Sequence, residues 1–131
     1  MILSKDAILA ADDLKYEDVE VPEWGGSVRV RSLTGSERDE YEASLLVGKG
    51  KDKDINFQNA RARMIYLSAI DEEGGRLFIK AGDVVAIGKK NANALDRVFS
   101  VCQKLSGMRK EDMDELLGNS ETAPKGGSTS D

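Results

Sequence analysis

The sequence contains no histidine and only one cysteine in 131 residues. Without histidine, Ser-His-acid hydrolysis, imidazole proton shuttling and most zinc sites are excluded. The single cysteine, Cys102, can form no internal disulfide, and no imidazole can activate its thiol. Because Cys102 follows Val98, Phe99 and Val101 in an apolar stretch, we expect it to be a small buried core residue rather than a nucleophile.

Long apolar runs and basic clusters are also missing. No stretch approaches the roughly 20 apolar residues of a membrane span, and residues 1–6 lack the basic and apolar parts of a secretory signal. The net charge is −5, and no segment joins a basic patch to aromatic residues, so nucleic-acid binding is not indicated. We therefore expect a cytoplasmic protein that is not an enzyme, has no cofactor and no metal, and binds neither nucleic acid nor membrane.

What is present fits one small domain with polar flanks, since 33% of the residues are charged and 40% hydrophobic. The predicted fold class is α+β and predominantly helical, with a short N-terminal helix, one β-hairpin and then a compact bundle of four or five helices. We expect a single domain over residues 1–118. Residues 119–131 are a polar tail that offers no core and is predicted to be disordered.

The hairpin is predicted from the alternation of apolar and charged residues between Tyr16 and Leu33. Gly25 and Gly26 can take the positive φ angles of the turn. Valines would form one face, and acidic residues on the first strand would pair with arginines on the second: Asp18 and Glu20 against Arg29 and Arg31. Such a hairpin must cover its valine face with helices or with a partner.

The helices are predicted from their caps and apolar spacing. Ser4 caps the first helix, and Thr34 with Glu37 forms a capping box for a helix that ends near Leu46. The later predicted helices are the longest one at Ile55–Asp71, a short one from Asp83, one capped by Asn91 or Asn93, and a last one at Lys110–Leu117. We predict a mobile loop over residues 48–54, where a phosphate-binding P-loop would need more than Gly48 and Gly50 provide.

Three segments resemble the tail assembly chaperones of long-tailed bacteriophages and their prophages: Trp24–Glu40, Asn59–Asp71 and Asn93–Phe99. The resemblance extends over most of residues 4–117. It implies a role without catalysis, in which the chain binds the long helical tape measure protein in the host cytoplasm before the tail tube forms. It also implies a longer form, made by ribosomal frameshifting, that recruits tail tube subunits.

The residues that we predict to contact a partner are apolar or aromatic. A tryptophan beside a glycine turn either folds back onto the core or anchors an interface, and methionines either fill core gaps or adapt to varied partners. Exposed hairpin edges can also pair between chains, which predicts a homo-oligomer. The candidate contacts are Trp24, Val19, Val28, Met64, Met108 and Met113.

Other function classes stay open on the sequence. A structural or connector protein of the phage virion, or a general protein-interaction domain, would need the same composition. A metal-dependent enzyme would use the carboxylates of Asp71, Glu72 and Glu73, although they lack the spacing of an EF-hand loop. The acidic run is more simply interpreted as the solvated end of a helix.

Overall fold

The chain folds as an α+β protein in the computed structural model, which describes residues 1–48 and 54–108. Its helices are α1 (Lys5–Ala10), α2 (Gly35–Leu45), α3 (Ala60–Ser68), α4 (Asp83–Gly88) and α5 (Ala92–Leu105). Its strands are β1 (Tyr16–Val21), β2 (Gly26–Arg31), β3 (Leu46–Val47), β4 (Asp54–Ile55) and β5 (Ala69–Ile70). The predicted α+β class is confirmed, and the predicted helix at 110–117 and tail at 119–131 lie outside the described residues, as does most of the 48–54 loop.

The predicted hairpin is confirmed as β1 and β2, joined by a 3₁₀ turn at Pro22–Trp24. Val19 lies opposite Val28 and Asp18 opposite Arg29. The Asp18 carboxylate accepts from Arg29 Nε at 2.7 Å, as expected for a cross-strand ion pair. The second expected pair does not form, because Glu20 lies opposite Ser27 and Arg31 turns instead to Glu37 on α2.

A third strand, which the sequence analysis did not predict, completes the sheet in the order β1-β2-β5. The helix expected at Ile55–Asp71 is therefore too long at both ends. Asn59 takes a left-handed φ of 57° just before α3, and Ala69 and Ile70 leave the helix to pair with β2. The longest described helix is α5, with 14 residues.

The predicted compact bundle of four or five helices is confirmed in part: α2, α4 and α5 all pack against α3, and α3 and α5 also pack against the sheet. α5 packs against β1 and β2, while α3 packs against α5, α4 and β2. α4 approaches the start of α3 closely, since a Cβ built on Gly88 would lie 2.6 Å from Oδ1 of Asn59. The core between these elements includes Val21, Val30, Tyr41, Leu45, Met64, Ile65, Val98 and Cys102.

The predicted caps are confirmed. Ser4 Oγ accepts from the Ala7 amide at 3.1 Å, and the Asn91 side chain accepts from the Ala94 amide at 3.0 Å. Thr34 and Glu37 form the full capping box at the start of α2. α1, α2 and α5 each begin at the residue that follows their capping side chain, Ser4, Thr34 and Asn91.

Residues 1–10 stand apart from the core, and we call them the N-terminal arm. α1 has no buried residue, and the large apolar side chains of the arm are all exposed: Met1, Ile2, Leu3, Ile8 and Leu9. Within residues 1–48 and 54–108, every helix is too short or too polar to cross a lipid bilayer.

Candidate partner-binding groove

An apolar groove of about 360 Å³ opens between the hairpin tip and α4. Its walls and floor are Trp24, Val28, Ile65, Leu77, Phe78, Asp83, Ala86, Ile87 and Lys90. Pockets of roughly 300–1,000 Å³ lined mainly by apolar and aromatic groups are typical ligand sites. This volume is sufficient for a few large side chains of a partner, and we call this feature the groove.

The hairpin tip forms one wall of the groove, and its short turn has a well-defined conformation. Pro22 begins the 3₁₀ turn and Gly25 ends it with a φ of 80°, a conformation that favours glycine. Between them, Glu23 forms a two-pronged ion pair with Arg97 of α5, with N–O distances of 2.7 and 2.9 Å. The hydrogen bonds from Arg97 lower the pKa of Glu23 to about 2, so the pair stays charged at neutral pH. Trp24 packs partly against the core and presents its remaining surface to the groove.

The opposite wall is α4 with the loop that precedes it. Ile87 is buried on this helix, and Ala86 is exposed at the groove. The loop contributes Leu77, whose amide donates to Ala69 of β5 at 3.0 Å while 48% of the residue stays exposed. Polar groups are confined to the two ends of α4, where Asp83 accepts from the Lys80 amide and Lys90 forms the rim.

The predicted contact residues divide between the groove and the core. Trp24 and Val28 line the groove. Val19, Met64 and Met108 are at most 6% exposed, so their predicted contact with a partner is corrected: they fill the core between sheet and helices. Met113 lies outside the described residues.

Several groove residues were missed by the sequence analysis. Leu77 and Phe78 follow Gly74 and Gly75 in an irregular loop, where no periodicity indicates which way a side chain points. Their signal is the apolar run at 77–79, which predicts a short extended segment but not its direction, and the structure forms no strand there. Ile65 and Ile87 look like ordinary core positions in a helix.

A second depression lies on the polar face of the sheet, beside the turn at residues 71–75. Its residues include Asp18, Arg29, Asp71, Glu72 and Glu73. Asp18 is paired with Arg29, and Asp71 Oδ1 accepts the amides of Glu73 and Gly75 at 2.8 and 3.0 Å. The Asp71 carboxylate therefore stabilises its own turn, and among the described residues no group of three or more His, Cys, Asp or Glu side chains could hold a metal ion.

Cys102 is confirmed as a core residue, since none of its surface is exposed. Burial raises the pKa of its thiol to about 12, so it stays protonated and is a poor nucleophile at neutral pH. The carboxylates of the acidic depression are engaged in a turn and an ion pair, and Cys102 is buried. Among the described residues, the groove is therefore the feature best suited to binding.

Comparison with known protein families, curated proteins and solved structures finds no significant match to this chain.

Proposed function

We propose that this chain is a binding protein without catalysis, and that its groove holds the apolar face of a helix from a partner. The observation that carries the proposal is an apolar groove walled by a tryptophan that an ion pair holds in place. Amphipathic helices bind such grooves through a few anchors at helical spacing. Tryptophan is among the residues that contribute most binding energy at interfaces.

The partner that we propose is the tape measure protein of a long-tailed phage, bound in the host cytoplasm during tail assembly. This part rests on the resemblance of Trp24–Glu40, Asn59–Asp71 and Asn93–Phe99 to tail assembly chaperones. A tape measure protein is long and helical, so it offers many amphipathic segments of the kind that the groove accepts. Tail tube subunits would be recruited by a frameshift-extended form and not by the groove.

The test uses the intrinsic fluorescence of Trp24, which is the only tryptophan in the chain. Overlapping helical peptides from the tape measure protein of the same phage are titrated into the full chain. A peptide that enters the groove should shift the Trp24 emission to shorter wavelengths, because the indole loses its contact with water. Leu77→Asp should weaken that binding about tenfold or more, since it places a charge in an apolar contact.

Tyr16→Asp is the matched control, because Tyr16 is 52% exposed and does not line the groove. Thermal unfolding of both variants checks that the fold is intact. Peptide binding that leaves the Trp24 emission unchanged and is indifferent to Leu77→Asp would rule out the groove. If unrelated amphipathic helices bind but no tape measure peptide does, the groove is a helix-binding site and the tape measure protein is not its partner.

A further inference from the structure

The N-terminal arm carries five large apolar side chains that the described part of the chain leaves exposed. Ile2 and Leu9 are 97% and 73% exposed, and water contact with such side chains is unfavourable by about 25 cal/mol per Å². Leu3 precedes the cap Ser4 and Ile8 lies in the first turn, at the positions that form a hydrophobic staple. A six-residue helix is marginal in water by itself, so the arm gains most from docking on an apolar surface.

The groove is the matching concave surface among the described residues. It is apolar except for Asp83 and Lys90 near the ends of α4, and no side chain of the arm lines it. Apolar grooves hold amphipathic helices through a few anchoring side chains, and the capped arm provides such a short helix with apolar side chains.

Charge complements shape at this contact. Residues 1–14 contain one lysine and three aspartates: Lys5, Asp6, Asp12 and Asp13. On the groove side, Lys90 lines the groove together with Asp83, and Lys80 and Lys89 lie just before and just after α4. None of the three lysines forms an ion pair with another described residue. The arm itself has one charge of each sign, but the acidic pair Asp12 and Asp13 at its root would approach these lysines, and opposite charges favour and orient the encounter.

The position of the arm in the chain favours docking in the groove of a second copy over docking in the groove of its own chain. The arm joins β1 at Tyr16, whereas Trp24 lies beyond the other end of this strand, about 17 Å away for six extended residues. To reach its own groove, the arm would have to turn back along the whole strand. In the described structure it does not do so.

We propose that the N-terminal arm of one copy docks in the groove of a second copy, and that reciprocal exchange closes a two-fold dimer. Each contact is made twice by the two-fold axis, as in other isologous dimers. In so far as the proposed function holds, the arm and the partner helix compete for one groove. The unliganded protein then covers its own apolar surface until a partner displaces the arm.

The test measures the mass of the full chain by light scattering and the Trp24 emission over a range of protein concentrations. For the wild type, the mass should rise to that of a dimer while the emission shifts to shorter wavelengths over the same concentrations. Leu9→Asp in the arm and Ala86→Asp in the groove should each raise the dimer dissociation constant about tenfold or more. Neither residue is buried, so both variants should keep the fold. Phe57→Asp, at a residue 60% exposed outside the groove, should leave the constant unchanged.

A mixture of the two variants gives a sharper result. Leu9→Asp keeps an intact groove and Ala86→Asp keeps an intact arm, so together they should regain one of the two contacts and associate more strongly than either variant alone.

Three results would overturn the proposal. A monomer at all concentrations would exclude exchange. An emission that depends on the arm but not on concentration would place the arm in its own groove. A dimer that persists in Leu9→Asp would indicate pairing through the outer edge of β1. Titrating Leu9→Asp with the tape measure peptides separates these failures from a failure of the proposed function, because this variant retains the groove.

Discussion

At the scale of single residues, the position of Trp24 depends on its neighbour Glu23. The exposed carboxylate of Glu23 meets both terminal nitrogens of Arg97, in the planar geometry that arginine provides. An exposed ion pair contributes little to stability. Its value here is positional, because it connects the hairpin tip to α5 and so fixes one wall of the groove.

Arg97→Met should release this connection and return the pKa of Glu23 from about 2 toward 4.5. The sign follows from the depressed pKa of the folded state. The stabilisation by the pair is complete above pH 4.5 and is lost as the pH falls through about 2. Carbon-13 NMR of the Glu23 carboxyl group measures the shift. The control is Arg61→Met, which breaks the exposed pair of Arg61 with Asp96, the residue that precedes Arg97. A wild-type Glu23 that titrates near 4.5 would show that the pair does not persist in solution.

How far the groove could be predicted also depends on individual residues. Trp24 and Val28 could be predicted from the sequence, because a hairpin pattern assigns each residue to a face of the sheet. The same pattern assigned Val19, but it could not distinguish a valine face covered by α5 from one open to a partner. Met64 shows the second limit, because burial is decided by elements distant in sequence, and methionine is common both in cores and at interfaces.

At the scale of elements, local signals determine where the helices begin, and Glu37 is the clearest case. Its Oε1 accepts from the Thr34 amide at 3.0 Å and from Arg31 Nη1 at 2.8 Å. One carboxylate therefore caps α2 and connects this helix to β2. Burial raises the pKa of Glu37, but the hydrogen bonds from Arg31 and Thr34 outweigh burial and keep the pKa below its usual value.

Glu37→Ala should lower the free energy of unfolding by about 2–4 kcal/mol, because it removes the cap and leaves the part-buried Arg31 without a carboxylate partner. Thr34→Ala removes only the hydroxyl cap and should cost about 1 kcal/mol. Urea unfolding monitored by circular dichroism measures both values. Arg38→Ala breaks only the i,i+4 pair with Glu42 and should cost less than about 0.5 kcal/mol. If Glu37→Ala costs no more than Arg38→Ala, the carboxylate does not have this double role.

Non-local pairing explains where the predicted elements failed. Nothing in the local sequence ends a helix at Ser68, since Ala69 and Ile70 continue the apolar spacing. They become β5 because they pair with the edge of β2 that β1 does not occupy, Ala69 opposite Val30 and Ile70 opposite Arg29. Helix starts with a capping side chain were predictable, whereas the C-terminal end of α3 was set by a distant strand, since Ala69 pairs with Val30, 39 residues earlier in the sequence.

At the scale of the whole molecule, α5 connects the parts of the fold. Arg97 holds the hairpin tip, Lys104 pairs with Glu17 near the start of β1 at 3.4 Å, and Ser106 accepts from the Leu33 amide at 2.9 Å. Cys102 lies on this helix with no exposed surface. Its thiol can therefore react with a reagent only when the packing of α5 opens.

Cys102 labelling should accordingly report unfolding of the whole described fold. Leu45 is buried on α2, and Leu45→Ala should cost about 2–5 kcal/mol, which raises the labelling rate by roughly 30-fold to several thousand-fold if opening is global. Leu9→Ala on the N-terminal arm should leave the rate unchanged, because α1 buries no residue. The measurement follows thiol labelling by mass spectrometry in the native buffer, alongside equilibrium unfolding in urea. A labelling rate indifferent to Leu45→Ala would mean that α5 opens by itself, and the helix would then not connect the sheet and the groove into one cooperative unit.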